Sequence, residues 1–225
     1  MAGIKQCFAE LAKIARPVSI AQVGGFRPPE DPLTSWFGRG VCLASEPEVS
    51  FNGQALFPLL QVRVSELPEV PKALEGIALL VVYMNAAEVP YDKAHGDGWL
   101  VREYRTLEGL APCPTRAPKG LKSLPIKWVA GKPERPDWEQ ASELLNLEAL
   151  EESDSARERF DKLPHHGATK IGGYPSEIQS LVENAGDYVL QIGSEEKAHW
   201  QWGDNGIATF ARDAGGAWTF ECQTF

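Results

Sequence analysis

Leu60-Gln61-Val62 returns as Leu190-Gln191-Ile192, and Gly76-Ile77-Ala78 returns as Gly206-Ile207-Ala208. Both pairs are 130 residues apart, so the spacing within each half is the same. Aromatic and glycine residues punctuate the chain upstream of each glutamine, as Trp36-Phe37-Gly38-Arg39-Gly40 and as Lys170-Ile171-Gly172-Gly173-Tyr174-Pro175. Two landmarks with one shared offset predict a supersecondary unit used twice. The expected fold is α+β, with mostly antiparallel sheets from an internal duplication and flanking helices. The two halves are placed at about residues 18–108 and 165–225 of a single domain. A proline-rich connector and an acidic helical segment, about residues 109–164, join them.

Local patterns fill in this frame. Ile4, Phe8, Leu11 and Ile14 recur at helical spacing ahead of Pro17. Ile77 to Tyr83 is an almost unbroken aliphatic run, the pattern of a strand buried on both faces. Six prolines between Pro112 and Pro136 mark the connector, with an edge strand predicted at Ile126 to Val129 because proline cannot donate to a ladder. Asp137 with Gln140 three residues on reads as a capping box opening a helix. A second helix is predicted from Ser155 to Leu163. Asn205-Gly206 predicts a hairpin turn, since both residues tolerate positive φ.

Charge narrows the classes of function. The net charge of −9 argues against nucleic acid as the main partner. Residues 134–161 carry ten acids against three bases, which is either a solvated helical face or a surface for a basic partner protein. The four cysteines are far apart, with no Cys-x-x-Cys pair, so no zinc site is expected. Cys113 lies between two prolines, with nothing beside it in sequence to activate the thiol. There is no apolar stretch near the length of about 20 residues needed for a membrane span, and a secretory signal is not expected, since the first residues hold no uninterrupted apolar run. A cytoplasmic monomer without a cofactor is the expectation.

Lys170-Ile171-Gly172-Gly173-Tyr174-Pro175, Leu190-Gln191-Ile192-Gly193-Ser194 and Trp202-Gly203-Asp204-Asn205-Gly206 together resemble the C-terminal signature of the YwqG-like family. The first half resembles it through Gln61-Val62-Arg63-Val64-Ser65-Glu66-Leu67-Pro68 and Gly76. The likeness runs over roughly residues 16–225. Gly38-Arg39-Gly40 departs from it, standing where paired glycines before an aromatic and a proline are typical. The resemblance implies a bacterial family of unknown function with duplicated sheet units. It also implies a distant similarity to programmed-cell-death-2-type domains, chaperones of a ribosomal protein. Those relatives carry cysteine-rich zinc insertions, which this chain lacks.

Each candidate residue has two readings. Trp202 and Asp204 could form a binding patch, or Trp202 could cover the sheet while Asp204 caps the turn. Gly172 and Gly173 could make an anion-binding nest, or a tight corner where a side chain would clash. Gln61 and Gln191, equivalent positions inside apolar strands, are expected to bridge to the backbone of the aromatic–glycine loop of their own half. His165, His166 and His199 lack metal-ligand spacing, and no nucleophile elbow is present. Trp36 and Tyr174 complete the candidate partner-binding set with His166, Trp202, Asp204, Gly172 and Gly173. The leading expectation is a non-enzymatic interaction module, chaperone-like or immunity-like, that binds a partner polypeptide between its halves. The alternative is a small-molecule or carbohydrate-binding domain with hydrolytic activity, built on Trp202, Asp204, His166 and Tyr174.

Overall fold

Most of the chain is antiparallel β-structure. The computed structural model describes residues 2–85, 87–91, 93–182 and 186–224. Strands β1 (Val18–Val23), β2 (Trp36–Phe37), β3 (Val41–Leu43), β4 (Ser50–Phe51), β5 (Gln54–Arg63), β6 (Leu79–Asn85), β7 (Trp99–Tyr104), β8 (Leu110–Pro112) and β9 (Leu124–Ala130) come first. They are followed by β10 (Lys170–Gly172), β11 (Asp187–Gly193), β12 (Ile207–Arg212) and β13 (Trp218–Gln223). Helix α1 (Ala2–Lys13) opens the chain, and α2 (Trp138–Leu144), α3 (Glu148–Glu151) and α4 (Asp154–Asp161) lie between β9 and β10.

The main sheet runs β13-β12-β11-β10-β1-β9-β2-β5-β6-β7, with β4 added to β5, and β3 pairs separately with β8. It curls into a nearly closed, barrel-like form. At the gap, β7 meets β12 and β13 through side chains. Arg212 grips the Glu103 carboxylate through Nε at 2.7 Å and Nη2 at 3.0 Å, and Trp218 Nε1 donates to the same carboxylate at 2.8 Å. Trp99 packs on Phe220 with ring centroids 5.3 Å apart.

Two wings of similar build meet at the central pair β1–β9. In one wing Trp36 lies opposite Gln61 and Phe37 opposite Leu60; in the other Lys170 lies opposite Gln191 and Ile171 opposite Leu190. Each long strand has its irregularity just before the glutamine, at Pro58/Leu60 and at Tyr188/Leu190. The Ser35 hydroxyl accepts from Arg63 N, and the Thr169 hydroxyl accepts from Gly193 N at the matching place.

Burial explains the strand patterns. In β6 every residue is buried. Leu80, Val82 and Met84 face the barrel interior, while Leu79, Val81 and Tyr83 face a second core under the β3–β8 pair. A third core joins α1, α2, α3 and α4 around Leu11, Leu150 and Phe160, with Ile4, Phe8 and Ile14 of the predicted stripe packed against it.

Three local expectations change. The strand predicted as an edge is β9, and it is central, bonded to β1 on one side and β2 on the other. Its Pro125 sits at the strand's start, opposite the two-residue β2, where its missing N–H removes no interior ladder bond. Asp137 does precede α2, but its side chain makes no cap hydrogen bond and accepts instead from Glu177 N at 3.2 Å. Asn205, at φ +50°, turns the chain next to Gly206, yet β11 and β12 are joined by a longer loop that includes a 3-10 turn at Glu196–Ala198, not by a two-residue hairpin.

Candidate functional site

The residues singled out in sequence divide between places. Trp202 is fully buried in an aromatic cluster with Trp200 (centroids 5.0 Å apart) and Phe220 (5.9 Å), while Asp204 is exposed on the adjoining turn. Trp36 is buried in the N-terminal wing beneath the Arg39 guanidinium, which stacks 3.7 Å from its ring. Gln61 Oε1 accepts from Val41 N while Nε2 donates to Pro32 O and Thr34 O. Gln191 Oε1 accepts from Ser176 N while Nε2 donates to Ala168 O and His166 O. Each glutamine therefore ties down the loop beside its own short strand.

His166, Gly172, Gly173 and Tyr174 come together around an ion pair that the sequence reading missed. Glu134 and Lys170 are both wholly buried. Lys170 Nζ lies 2.9 Å from each Glu134 oxygen; His166 N donates to Oε1 at 2.8 Å and Tyr174 N to Oε2 at 2.9 Å. Burial lowers the Lys170 pKa, against the pull of Glu134. Gly173 has φ +70°, and a Cβ there would collide with the Glu134 carboxylate. The Gly173 amide donates to Pro17 O and the Tyr174 amide to the chain's own carboxylate, so the glycine pair makes a tight corner with neither amide offered to an external anion. Tyr174 is nearly buried, donates its hydroxyl to Ile14 O at 2.6 Å and lies under Arg16, 4.1 Å from its ring.

Beside this pair, a trench runs along α2. It is made of three depressions of about 280, 150 and 220 Å³: the first two share Glu139 and Glu177, and the third is lined by Gln140, Glu143, Tyr174 and Tyr188. Buried polar atoms are almost always paired in native proteins, so unpaired ones single out a place that takes water or a guest. His165 Nδ1, both Glu177 oxygens, Gln140 Oε1 and the Tyr188 hydroxyl are buried without a well-formed hydrogen bond among the described residues, and all four residues line the trench.

The electrostatics are acidic. Burial, with Asp137, Glu139 and Glu143 nearby, pushes the Glu177 carboxyl up to about 7, opposed by the Val182 amide. Burial also raises Asp137, opposed by the Glu177 amide and Lys170. His165 is pulled down to about 4 by burial and then by Lys170, so it is neutral at pH 7. Its Nε2 lies 2.9 Å from Ser176 Oγ and 3.4 Å from Asp137 Oδ2. Both contacts fall on one ring nitrogen, whereas a serine–histidine–aspartate relay needs serine and aspartate on opposite nitrogens. Among the described residues, no three His, Cys, Asp or Glu side chains are grouped to hold a metal ion. No helix among them is long and apolar enough to cross a membrane.

Residues 65–213 match the family model of a domain of unknown function, DUF1963. The chain belongs to the DUF1963 family. The DUF1963 match takes in Glu134, Lys170 and every trench group named above. Arg16 at the trench's far end and Gln61 of the N-terminal wing lie before it. No curated protein matches the chain. Within this DUF1963 protein, Lys170 stood in sequence only as part of the Lys170-Ile171-Gly172-Gly173-Tyr174-Pro175 segment, and its partner Glu134 gave no signal. Glu177 and Gln140 give none, because their role depends on two segments meeting.

Proposed function

We propose that this protein is a non-enzymatic interaction module that holds a basic segment of a partner polypeptide in the trench along α2. The observation that carries the reading is a set of buried acceptors, Glu177 Oε1 and Oε2 with Gln140 Oε1, that lack a well-formed hydrogen bond among the described residues and lie in an acidic trench. An ammonium or guanidinium offers only donors and supplies what these atoms lack. Trp138 and the half-buried stem of α2 give such a side chain apolar surface. The trench lies beside the C-terminal wing rather than between the wings.

The same reading places the chain with the YwqG-like proteins, at a distance from the programmed-cell-death-2-type chaperone domains, and takes its wings as copies of one unit. The matched glutamine bridges, the matched strand irregularities and the 130-residue offset support the duplication. A cytoplasmic setting goes with this reading.

Calorimetric titration with a lysine- and arginine-bearing peptide, against the same peptide acetylated and citrullinated, tests it. The cationic peptide binds, and Glu177→Gln abolishes most of the affinity. Affinity rises with pH, because the guest needs the Glu177 carboxylate ionised. With that group titrating at about 7, binding at pH 6 is about tenfold weaker than at pH 8. Equal binding of the neutral peptide overturns the proposal.

A second reading, a small polyhydroxylated ligand with hydrolytic turnover, rests on a Glu177 carboxyl that still carries a proton near neutral pH, as a general acid does. Hydrolysis of aryl glycosides that disappears in Glu177→Gln would favour it.

A further inference from the structure

The second core, under the β3–β8 pair, holds a cluster of chemically active side chains remote from the trench. Cys42 and Cys113 belong to it with Tyr83 and Tyr104. The register places Cys42 opposite Ala111. Cys113 follows β8 directly, and its amide donates to Gly40 O at 2.9 Å, which continues the same register. Positions 111 and 113 point to one face of the strand, so Cys113 is the diagonal neighbour of Cys42 on a shared face. The two thiols interact directly, and the Cys113 side chain raises the Cys42 thiol.

The pair is asymmetric. Cys42 is buried, with Sγ 3.6 Å from Pro47 O, whereas Cys113 is only partly buried. Burial and the neighbouring Cys113 hold the Cys42 thiol up at about 11, while Arg102 favours its thiolate. Cys113 is therefore the thiol that an external reagent meets first. Tyr83 donates to Val41 O and fixes the backbone beside Cys42.

We propose that Cys42 and Cys113 are a reversible thiol–disulfide site, closed by exchange with a small-molecule disulfide. The Cys113 thiolate attacks the reagent, forming a mixed disulfide and expelling one thiol. Cys42, losing its proton, then attacks the Cys113 sulfur and expels the second. Two protein thiols and one small disulfide become one protein disulfide and two small thiols, so atoms and electrons balance. Diagonal neighbours, about 7–8 Å apart, lie beyond the usual disulfide reach, so closure requires the end of β8 to move toward β3. Cys113 stands just outside the strand, and the bond from its amide to Gly40 O is the contact that this movement must loosen.

Incubation of the folded full chain with oxidised glutathione, followed by non-reducing digestion and mass spectrometry, tests the site. The expected product is a Cys42–Cys113 linked peptide that excess reduced glutathione reverses. In Cys42→Ser, Cys113 instead keeps a glutathione adduct. The linked wild-type protein melts higher by roughly 5 °C, because the bridge shortens the unfolded chain. Only glutathione adducts on wild-type Cys113, or linkage of Cys113 to Cys7 or Cys222, overturns the proposal. The wild-type measurement stands whether or not either variant folds.

Discussion

At the scale of single residues, the Glu134–Lys170 pair is the most exacting contact in the molecule. Removing one partner of a buried ion pair leaves the other uncompensated, at a cost of about 3–5 kcal/mol. Lys170→Met is expected to destabilise by that amount, read as a shift of the urea midpoint. Apolar replacement of both partners does not restore stability here, because the amides of His166 and Tyr174 also need Glu134. Lys170→Met with Glu134→Gln recovers part of the loss, since a glutamine oxygen still accepts. Equal stability of the double apolar variant and wild type would contradict this account. Glu177 acts in the opposite sense. Its folded pKa is raised, so its contribution is present in acid and lost as pH rises through about 7. Glu177→Gln should therefore raise the melting temperature at pH 8 and leave it nearly unchanged at about pH 4, below the unfolded carboxyl's titration.

At the scale of elements, the two long strands β5 and β11 are tied to the chain beside them by one amide side chain each. Gln61→Leu and Gln191→Leu each leave a backbone N–H and two carbonyls without their partner. At about 1–3 kcal/mol for each buried orphan, each substitution costs at least about 2 kcal/mol. Calorimetric melting that is unchanged in either variant would sink this assignment. These glutamines were legible in the sequence because a polar residue inside an apolar strand must find partners locally, and their spacing repeats. The aliphatic strand β6 and the stripe of α1 were legible for the related reason that periodicity records burial. The position of β9 was not, since a proline's meaning depends on which end of a strand it occupies. Nor were the trench and the thiol pair, which arise where segments far apart in sequence meet: α2 with residues 174–182 and 186–188, and β3 with the end of β8. Trp202 shows the limit in another form. Tryptophan beside a turn fits a binding patch or a covered core equally well from composition, and here it is wholly buried, with Trp200 and Phe220 among its neighbours.

At the scale of the whole molecule, the gap in the barrel is spanned by side chains where a ladder would close it. Glu103 receives two bonds from Arg212 and one from Trp218, all partly buried. Glu103→Ala leaves both donors without that acceptor, and a cost of about 2 kcal/mol is expected. The loss should be local. Amide hydrogen exchange ought to speed up along β7 and β13 while β1 and β9, in the centre of the sheet, keep their protection. Uniform acceleration across the sheet would show that the gap and the centre open as one unit.

The outer rims of β7 and β13 end the sheet's hydrogen-bond ladder, and such rims are where chains add to one another to build fibrils. In this fold the rims are turned toward each other, with Glu103, Arg212, Trp99 and Phe220 crossing the space that an intruding strand would have to enter. The same few side chains that hold the barrel's shape therefore also guard its colloidal behaviour. A lesion at this seam should announce itself as turbidity at concentrations and temperatures where the rest of the protein is still folded.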